Sequence, residues 1–291
     1  MKRYLIIAVV LFSLASNAQQ KKFDKAIVST TMNIIAPDEE DVQNLQSNPD
    51  FRGGMNFRNM MDGETKFVTY VKNDSVKTNI KSDMGRFNIY RDNAKKSTTT
   101  IMEMMGNKSG FFTTDEEQAQ MQKQRDSMIK ERRKRDTTSK QMPSFDNSDN
   151  STEVSISKET KKIASFLCTK AYLITTRFLG RKDTATVWFT PEFSLKNINS
   201  TGGFSNLPGM MSNMAPTLNG LDKINGFVMG YSTKMRRNRT MEVEVTKIEL
   251  GKEIDDKEFT IPKDIEIKPM KEMRMMFGGG GREGFMRGGR D

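Results

Sequence analysis

Side chains able to do covalent or acid–base chemistry are scarce in this chain of 291 residues. Histidine is absent, which excludes Ser-His-Asp and Cys-His mechanisms as well as zinc or iron sites with histidine ligands. Cys168 is the single cysteine, so neither an internal disulfide nor a thiolate cluster can form. Its apolar strand context predicts a small buried hydrophobic residue and not a nucleophile. We therefore expect no catalysis and no cofactor.

Neighbouring carboxylates are the next candidates for chemistry. The runs Asp38-Glu39-Glu40 and Asp255-Asp256 could in principle transfer protons or hold calcium. Neither run has the ligand spacing of a calcium loop, and both lie where predicted strands end. We interpret them as solvated turns.

Methionine is unusually frequent, with 23 residues in the chain. Local clusters occur at 102–105, 210–214 and 270–276. Thioether clusters suit Cu(I), but they equally suit adaptable apolar packing. Since histidine and a second cysteine are missing, copper lacks its usual supporting ligands, and we predict no metal site.

Aromatic side chains offer the remaining candidate site. Trp188 and Phe189 are adjacent in a predicted strand and must point to opposite faces, so both faces of the sheet are covered. The cover is either the protein's own elements or an apolar ligand in a groove. In the second case a Gly-rich loop at 200–220 would act as a lid. The candidate lining residues are Tyr172, Trp188, Phe227 and Met229, with Met210, Met211 and Met214 from the loop.

These side chains are positioned by short β-branched and apolar runs separated by turn residues, a pattern typical of an antiparallel meander. Val76, Thr78 and Ile80 alternate with polar residues, as in a strand with one face in water. On one later strand we expect Phe227, Met229 and Tyr231 to share a face. The predicted strands are 26–35, 65–72, 75–82, 85–91, 97–105, 153–157, 168–177, 184–190, 226–234, 240–250 and a short one at 256–262.

The pattern changes at Thr114, which forms a capping box with Glu117. Residues 115–135 are strong helix formers with few apolar side chains, and a Ser/Asn/Asp-rich stretch follows. We predict that 115–152 is an exposed polar helix plus linker inserted into the β fold. An alternative is a docking arm for a partner or an anionic surface.

The first eighteen residues have the form of a signal peptide. Lys2 and Arg3 precede an apolar run that is too short to span a bilayer, and Ser16-Asn17-Ala18 offers a cleavage site. We expect export to the periplasm or beyond, and no transmembrane segment after cleavage. The net charge is +10, but export argues against a nucleic-acid partner.

The predicted organisation has five parts. A signal peptide (1–18) precedes the N-terminal part of a β domain (19–114). The polar insertion (115–152) separates it from the C-terminal part of the same domain (153–268). A Met/Gly/Arg-rich flexible tail (269–291) ends the chain.

Four stretches in the second half carry a family resemblance: 161–172, 184–192 with Trp188, 221–228, and Phe259-Thr-Ile-Pro262. In this order they resemble exported, Bacteroidetes-type proteins of the GLPGLI family and related domains of unknown function. Those proteins are similar to the LolA/LolB-like lipoprotein carriers. The resemblance covers roughly residues 160–265. It implies an antiparallel half-barrel with a helical lid.

The sequence thus predicts a mainly β (α+β) protein with an antiparallel curved sheet or half-barrel, a helical or loop lid, and an exposed polar helix. The expected function is non-enzymatic binding of an apolar or lipid-like ligand. The alternative is a structural or interaction protein of the cell envelope, with an envelope protein as partner.

Overall fold

The computed structural model describes residues 20–35, 63–83, 85–104, 106–135, 151–176, 182–196, 198, 220–235 and 239–272. The predicted signal peptide, most of the predicted linker, the loop methionines 210, 211 and 214, and the chain beyond 272 lie outside the described residues. None of the described helices is long and apolar enough to cross a membrane.

The described chain is mainly β, as the sequence predicts, with most strands in one large sheet. The strands are β1 (Lys21–Phe23), β2 (Lys25–Ile35), β3 (Gly63–Lys72), β4 (Ser75–Ser82), β5 (Gly85–Asp92), β6 (Ser97–Met104), β7 (Asn107–Thr114), β8 (Ser151–Ile163), β9 (Phe166–Thr176), β10 (Lys182–Thr190), β11 (Phe193–Leu195), β12 (Phe227–Lys234), β13 (Thr240–Leu250) and β14 (Ile267–Pro269).

The large sheet runs in the order β14-β7-β6-β5-β4-β3-β2-β13-β12-β10-β9-β8. Strands β2 to β7 form the predicted antiparallel meander, and strand β13 joins them to the second half through its antiparallel pairing with β2. Strands from both sides of the 115–152 insertion therefore belong to one sheet. Only β14 joins it in parallel, beside β7, while β1 and β11 form a separate parallel pair.

Two core clusters lie along the sheet. The first cluster contains Met32, Phe67, Ile80 and Phe87 of the meander together with residues of β9, β10, β12 and β13. The second cluster brings together Val28, Val71 and Val76 with residues of β9, β11 and β12. On β2, β3 and β4 both clusters use the same face, because the buried positions alternate along each strand.

The helix α1 (Asp115–Arg135) begins at the predicted capping box. The Glu117 amide donates to Thr114 Oγ1 (3.2 Å), and the Thr114 amide donates to Glu117 Oε2 (2.9 Å). Arg91 of β5 also forms a bidentate ion pair with Asp115, which holds the first turn on the sheet. The guanidinium of Arg91 accordingly lowers the pKa of Asp115.

The C-terminal segment differs from its prediction as a strand. Residues 256–259 form a 3₁₀ turn, in which the Asp255 side chain accepts from the Lys257 amide and caps the turn. We call residues 251–266 the crossing segment. It leaves β13 beside β2, passes over β3 and β4, and leads to β14 beside β7, so it spans the outer face of the meander.

Several shorter elements were not predicted. Strands β1, β7, β11 and β14 add to the predicted set, and β8 runs from Ser151 to Ile163, well beyond the predicted 153–157. Strands β8 and β9 are joined by a two-residue turn at Ala164 and Ser165, both with positive φ. This backbone shape is characteristic of tight hairpins, but it is more often built from asparagine and glycine.

Candidate functional site

A shift in the pairing of β10 with β12 separates the aromatic and methionine side chains of β12 between the two core clusters. The register of this pair shifts between Trp188 and Phe189, which places an extra residue in β12. Phe227 and Met229 consequently pack in the second cluster, whereas Tyr231 packs in the first. The expectation that all three share one face is wrong, because a bulge interrupts the alternation of the strand.

Phe227 and Met229 are enclosed by the protein's own side chains. They are 2% and 0% exposed, and the Phe227 ring lies 5.0 Å from the ring of Phe193. Phe193 belongs to β11, and it also contacts Phe166 at the start of β9. The aromatic side chains of β9, β11 and β12 therefore fill the space that the two predicted lining residues face.

A small cavity lies beside the bulge. It has a volume of about 10 Å³, and Thr30, Met229 and Val245 are among the residues that line it. This volume is close to the minimum for one water molecule. The cavity is therefore far too small to hold an acyl chain in this conformation.

Trp188 lies on the sheet face opposite to Phe189, as the strand period predicts. Phe189 packs in the first cluster, and the half-buried Trp188 packs against the edge of the second. Lys170 of β9 is directly opposite Trp188 in the sheet register, and Tyr172 lies two residues further along on the same face. Trp188 thus contacts the cluster of Phe227 and Met229, while Tyr172 belongs to neither cluster.

Two lysine ammonium groups lie over these aromatic rings. Lys161 Nζ is 4.8 Å from the ring centroid of Trp188. Lys170 Nζ is 5.1 Å from the Tyr172 centroid and 5.8 Å from the Trp188 centroid. These distances fall within the range of cation–π contacts. We call Tyr172, Trp188, Lys161 and Lys170 the Trp188 cluster.

Carboxylates balance both ammonium groups. Lys161 pairs with Glu244 of β13 at 2.9 Å, and Lys170 pairs with Glu159 of β8 at 3.0 Å. Hydrogen bonding to Tyr172, followed by the contact with Glu159, raises the pKa of Lys170. Lys170 therefore carries a positive charge at neutral pH.

Lys161 contacts both the Trp188 ring and the Glu244 carboxylate. In the sheet register these two residues lie on either side of Gly230, Trp188 on β10 and Glu244 on β13. Lys161 belongs to β8, four positions from β13 in the sheet, so the tip of the β8–β9 hairpin leans over this face.

A second group of aromatic rings and lysine lies on the outer face of the meander. Tyr70, Lys77 and Tyr90 are directly opposite one another on β3, β4 and β5. Lys77 Nζ is 5.8 and 5.6 Å from the two ring centroids, and it pairs with Glu258 of the crossing segment at 2.9 Å. We call these four residues the Lys77 cluster. Sequence reasoning missed it, because Glu258 is remote from the tyrosines in the chain.

Cys168 is buried, as the sequence predicts. The side chain is 0% exposed in the second cluster. Burial raises the pKa of the thiol to about 11, so the reactive thiolate is rare at neutral pH. Within the described ranges, moreover, no group of three or more metal-ligating carboxylate, cysteine or histidine side chains occurs.

No family model and no curated protein matches the chain. Solved structures of PNGF-II are similar at 14% identity with a TM-score of 0.34 in space group P21, and at 13% identity with a TM-score of 0.37 in C2. Each match covers 87% of this chain. The chain spans about a third of PNGF-II, 33% and 32% in the two structures.

Proposed function

We propose that the protein is an exported, non-enzymatic binding protein of the cell envelope that contacts a partner protein through the Trp188 cluster. One observation carries this proposal: Trp188 and Tyr172 are only half-buried on the sheet, whereas Phe227 and Met229 are enclosed. The sheet surface at Trp188 is therefore open to a partner where the interior is not.

The chemistry of this surface suits a protein partner. Tyrosine and tryptophan are enriched at protein interfaces, because a large apolar ring carries a polar group at one end. The lysines of the Trp188 cluster pair with Glu244 and Glu159, and each can exchange that internal partner for a carboxylate of another protein. We infer a partner that presents both an apolar side chain and a carboxylate.

Compartment and fold belong to the same proposal. The signal-peptide pattern at 1–18 supports export to the periplasm or beyond. Residues of β2 to β5 and of β9, β10, β12 and β13 share the first cluster, which supports a sheet that curves over its own face. Such a half-barrel would agree with the resemblance to the GLPGLI family and to the LolA/LolB-like carriers.

Site-specific photocrosslinking in the native envelope tests the surface. A photoreactive phenylalanine analogue at Tyr172 should give a discrete adduct with a second protein. The same analogue at Tyr70 is the matched control, because Tyr70 is a half-buried tyrosine on the face that the crossing segment spans. Equal adducts from both positions, or none from Tyr172, would refute the proposal.

The second candidate is a carrier of an apolar or lipid-like ligand. It is favoured by the segment 220–226, which places Leu221 and Ile224 in the first cluster. This segment continues the predicted lid at 200–220, with Met210, Met211 and Met214, and Lys223 Nζ holds it to the Thr152 carbonyl of the edge strand β8. If the segment swings away, an acyl chain could replace Leu221 and Ile224.

Fluorescence titration separates the two functions. A carrier should give a saturable blue shift of Trp188 emission with a fatty acid or phospholipid, and displacement of an environment-sensitive dye. Leu221→Trp would place a second reporter in the covering segment, with the buried Leu173→Trp as a matched control elsewhere in the first cluster. Absence of a saturable response at high micromolar ligand leaves the envelope interaction as the function.

A further inference from the structure

We propose that the helix α1 binds an anionic membrane surface through its C-terminal half. This inference is independent of the Trp188 cluster, since it concerns a different element, the helix of the 115–152 insertion. It rests on three features of α1: its anchorage, its exposure and the arrangement of its charges.

The anchorage fixes only the first turn of α1. The ion pair between Arg91 and Asp115 and the capping box at Thr114 connect the helix to β5 and to the end of β7. A helix of 21 residues is about 31 Å long. The C-terminal half can therefore extend well away from the attachment point.

Side chains along α1 are exposed from its start to its far half. Glu116, Ala119, Lys123, Met128 and Glu131 all lie in solvent, and Met128 is 55% exposed. The sequence of α1 has no apolar stripe that could pack against the sheet or insert into a hydrophobic groove. A partner must therefore recognise this helix by charge.

The charge is concentrated toward the C-terminal end. Residues 123–135 contain seven lysines and arginines against two acids. Each acid is placed four residues before a basic residue, as Asp126 is before Lys130 and Glu131 before Arg135, a spacing that supports an isolated helix. Both pairs add to the stability of the helix where it leaves the sheet.

The positions of the cations around the axis select the class of partner. By the helical period of 3.6 residues per turn, the basic sequence positions 130, 132, 133, 134 and 135 are spread around the whole helix axis, with no gap wider than about 100°. An acidic groove of a protein would recognise cations on one defined face, and this sequence concentrates them on none. A membrane with anionic headgroups accepts the helix in any rotation about its axis, and it attracts each basic residue near its surface.

Vesicle sedimentation with the full chain tests this assignment. Phosphatidylcholine vesicles that contain about one third phosphatidylglycerol should bind the protein at low salt. Added salt should release the protein, because it shortens the distance over which the charges attract one another. The variant K130Q/R132Q/R133Q/K134Q/R135Q should bind more than about tenfold more weakly. The variant R132Q/R133Q should bind the vesicles with an affinity between those of the parent protein and the five-charge variant.

The tail provides a control with the same loss of charge. The variant K271Q/R274Q/R282Q/R287Q/R290Q also removes five positive charges, but it leaves α1 unchanged. It should retain most of the binding. Glutamine is a good helix former, and circular dichroism should show equal helix content in all variants.

Several results would overturn the proposal. They are equal binding to pure phosphatidylcholine vesicles, equal losses in the helix and tail variants, and binding that persists in molar salt. Binding of soluble polyglutamate without binding of anionic vesicles would assign α1 to an acidic protein instead.

Discussion

The Lys77 and Trp188 clusters use the same chemistry in the two halves of the sheet but differ in what covers them. In each, a lysine ammonium lies over two aromatic rings and pairs with a carboxylate. The carboxylate of the Lys77 cluster is Glu258 of the crossing segment, and the Lys77 side chain is only 12% exposed. The lysines of the Trp188 cluster pair with carboxylates on strands of the sheet itself, Lys161 with Glu244 and Lys170 with Glu159. The Lys161 side chain is 40% exposed and the Lys170 side chain is 19% exposed.

The Lys77 cluster shows how the protein pairs the lysine charges of a surface that one of its own segments covers. The crossing segment is extended and acidic, and its residues 253, 256 and 258 pair with lysines of β2, β3 and β4. Among the residues that the structure describes, the tip of the β8–β9 hairpin is what leans over the Trp188 cluster. We infer that an extended acidic segment of a partner could take the corresponding place there.

The largest difference should appear when an aromatic ring is removed from each cluster. Tyr90 is 9% exposed, so Tyr90→Ala should lower the free energy of unfolding by about 3 kcal/mol. Trp188 is half-buried, and Trp188→Ala should cost about 1.5 kcal/mol because less apolar surface is lost. Urea unfolding followed by circular dichroism measures both losses.

The contrast between the two clusters would be refuted if Trp188→Ala lowered the free energy of unfolding as much as Tyr90→Ala. That result would mean that the Trp188 ring supports the second cluster as a core residue, and it would remove the reason to treat this surface as available for binding.

A second prediction uses Cys168 as a reporter of opening near Trp188. The pKa of about 11, against an ordinary value of 9.0, should make alkylation by iodoacetamide at pH 8 about a hundredfold slower than for a free thiol. Burial should slow it further. The mass of the protein after timed quenching gives the rate, and the urea-unfolded chain is the reference.

Trp188→Ala should accelerate this alkylation if the ring holds the hairpin tip against the sheet. Tyr90→Ala should leave the alkylation rate nearly unchanged when the two variants are compared under conditions that give them the same free energy of unfolding. Alkylation of the parent protein at the rate of a free thiol would contradict the closed second cluster.

The sequence predicted the meander and α1 because local patterns determine them. Alternation of Val76, Thr78 and Ile80 places one face in the core, and the Thr114–Glu117 capping box is formed as expected. Strand β7 was missed because its sequence, Asn107–Thr114, is polar and contains Gly110, where Ile267 of β14 approaches the backbone closely. That contact between distant parts of the chain has no local signal.

The candidate site was predictable only in part for the same reason. The opposite orientation of Trp188 and Phe189 follows from the period of a strand. The bulge that separates Met229 from Tyr231 depends on the register between β10 and β12, which no local pattern specifies. The cation–π contacts likewise depend on Lys161, which the sheet brings to Trp188 from β8.

The smallest predicted difference concerns the carboxylates of the two clusters. Glu258→Gln removes the charge that pairs with the largely covered Lys77, and it should lower the free energy of unfolding by about 1 kcal/mol. Glu244→Gln acts on the more exposed Lys161 and should cost less than about 0.5 kcal/mol, because water solvates that ammonium group.

Glu258→Gln should also loosen the crossing segment, so trypsin should cleave after Lys252, Lys257 or Lys263 sooner than in the parent protein. Glu244→Gln is the matched control, since it removes one carboxylate partner of a lysine without touching the crossing segment. Sizing the fragments by mass identifies the cut. Equal cleavage rates in the two variants would show that Glu258 does not hold the segment, and that the Lys77 cluster is covered by the backbone pairing of β14 with β7 alone.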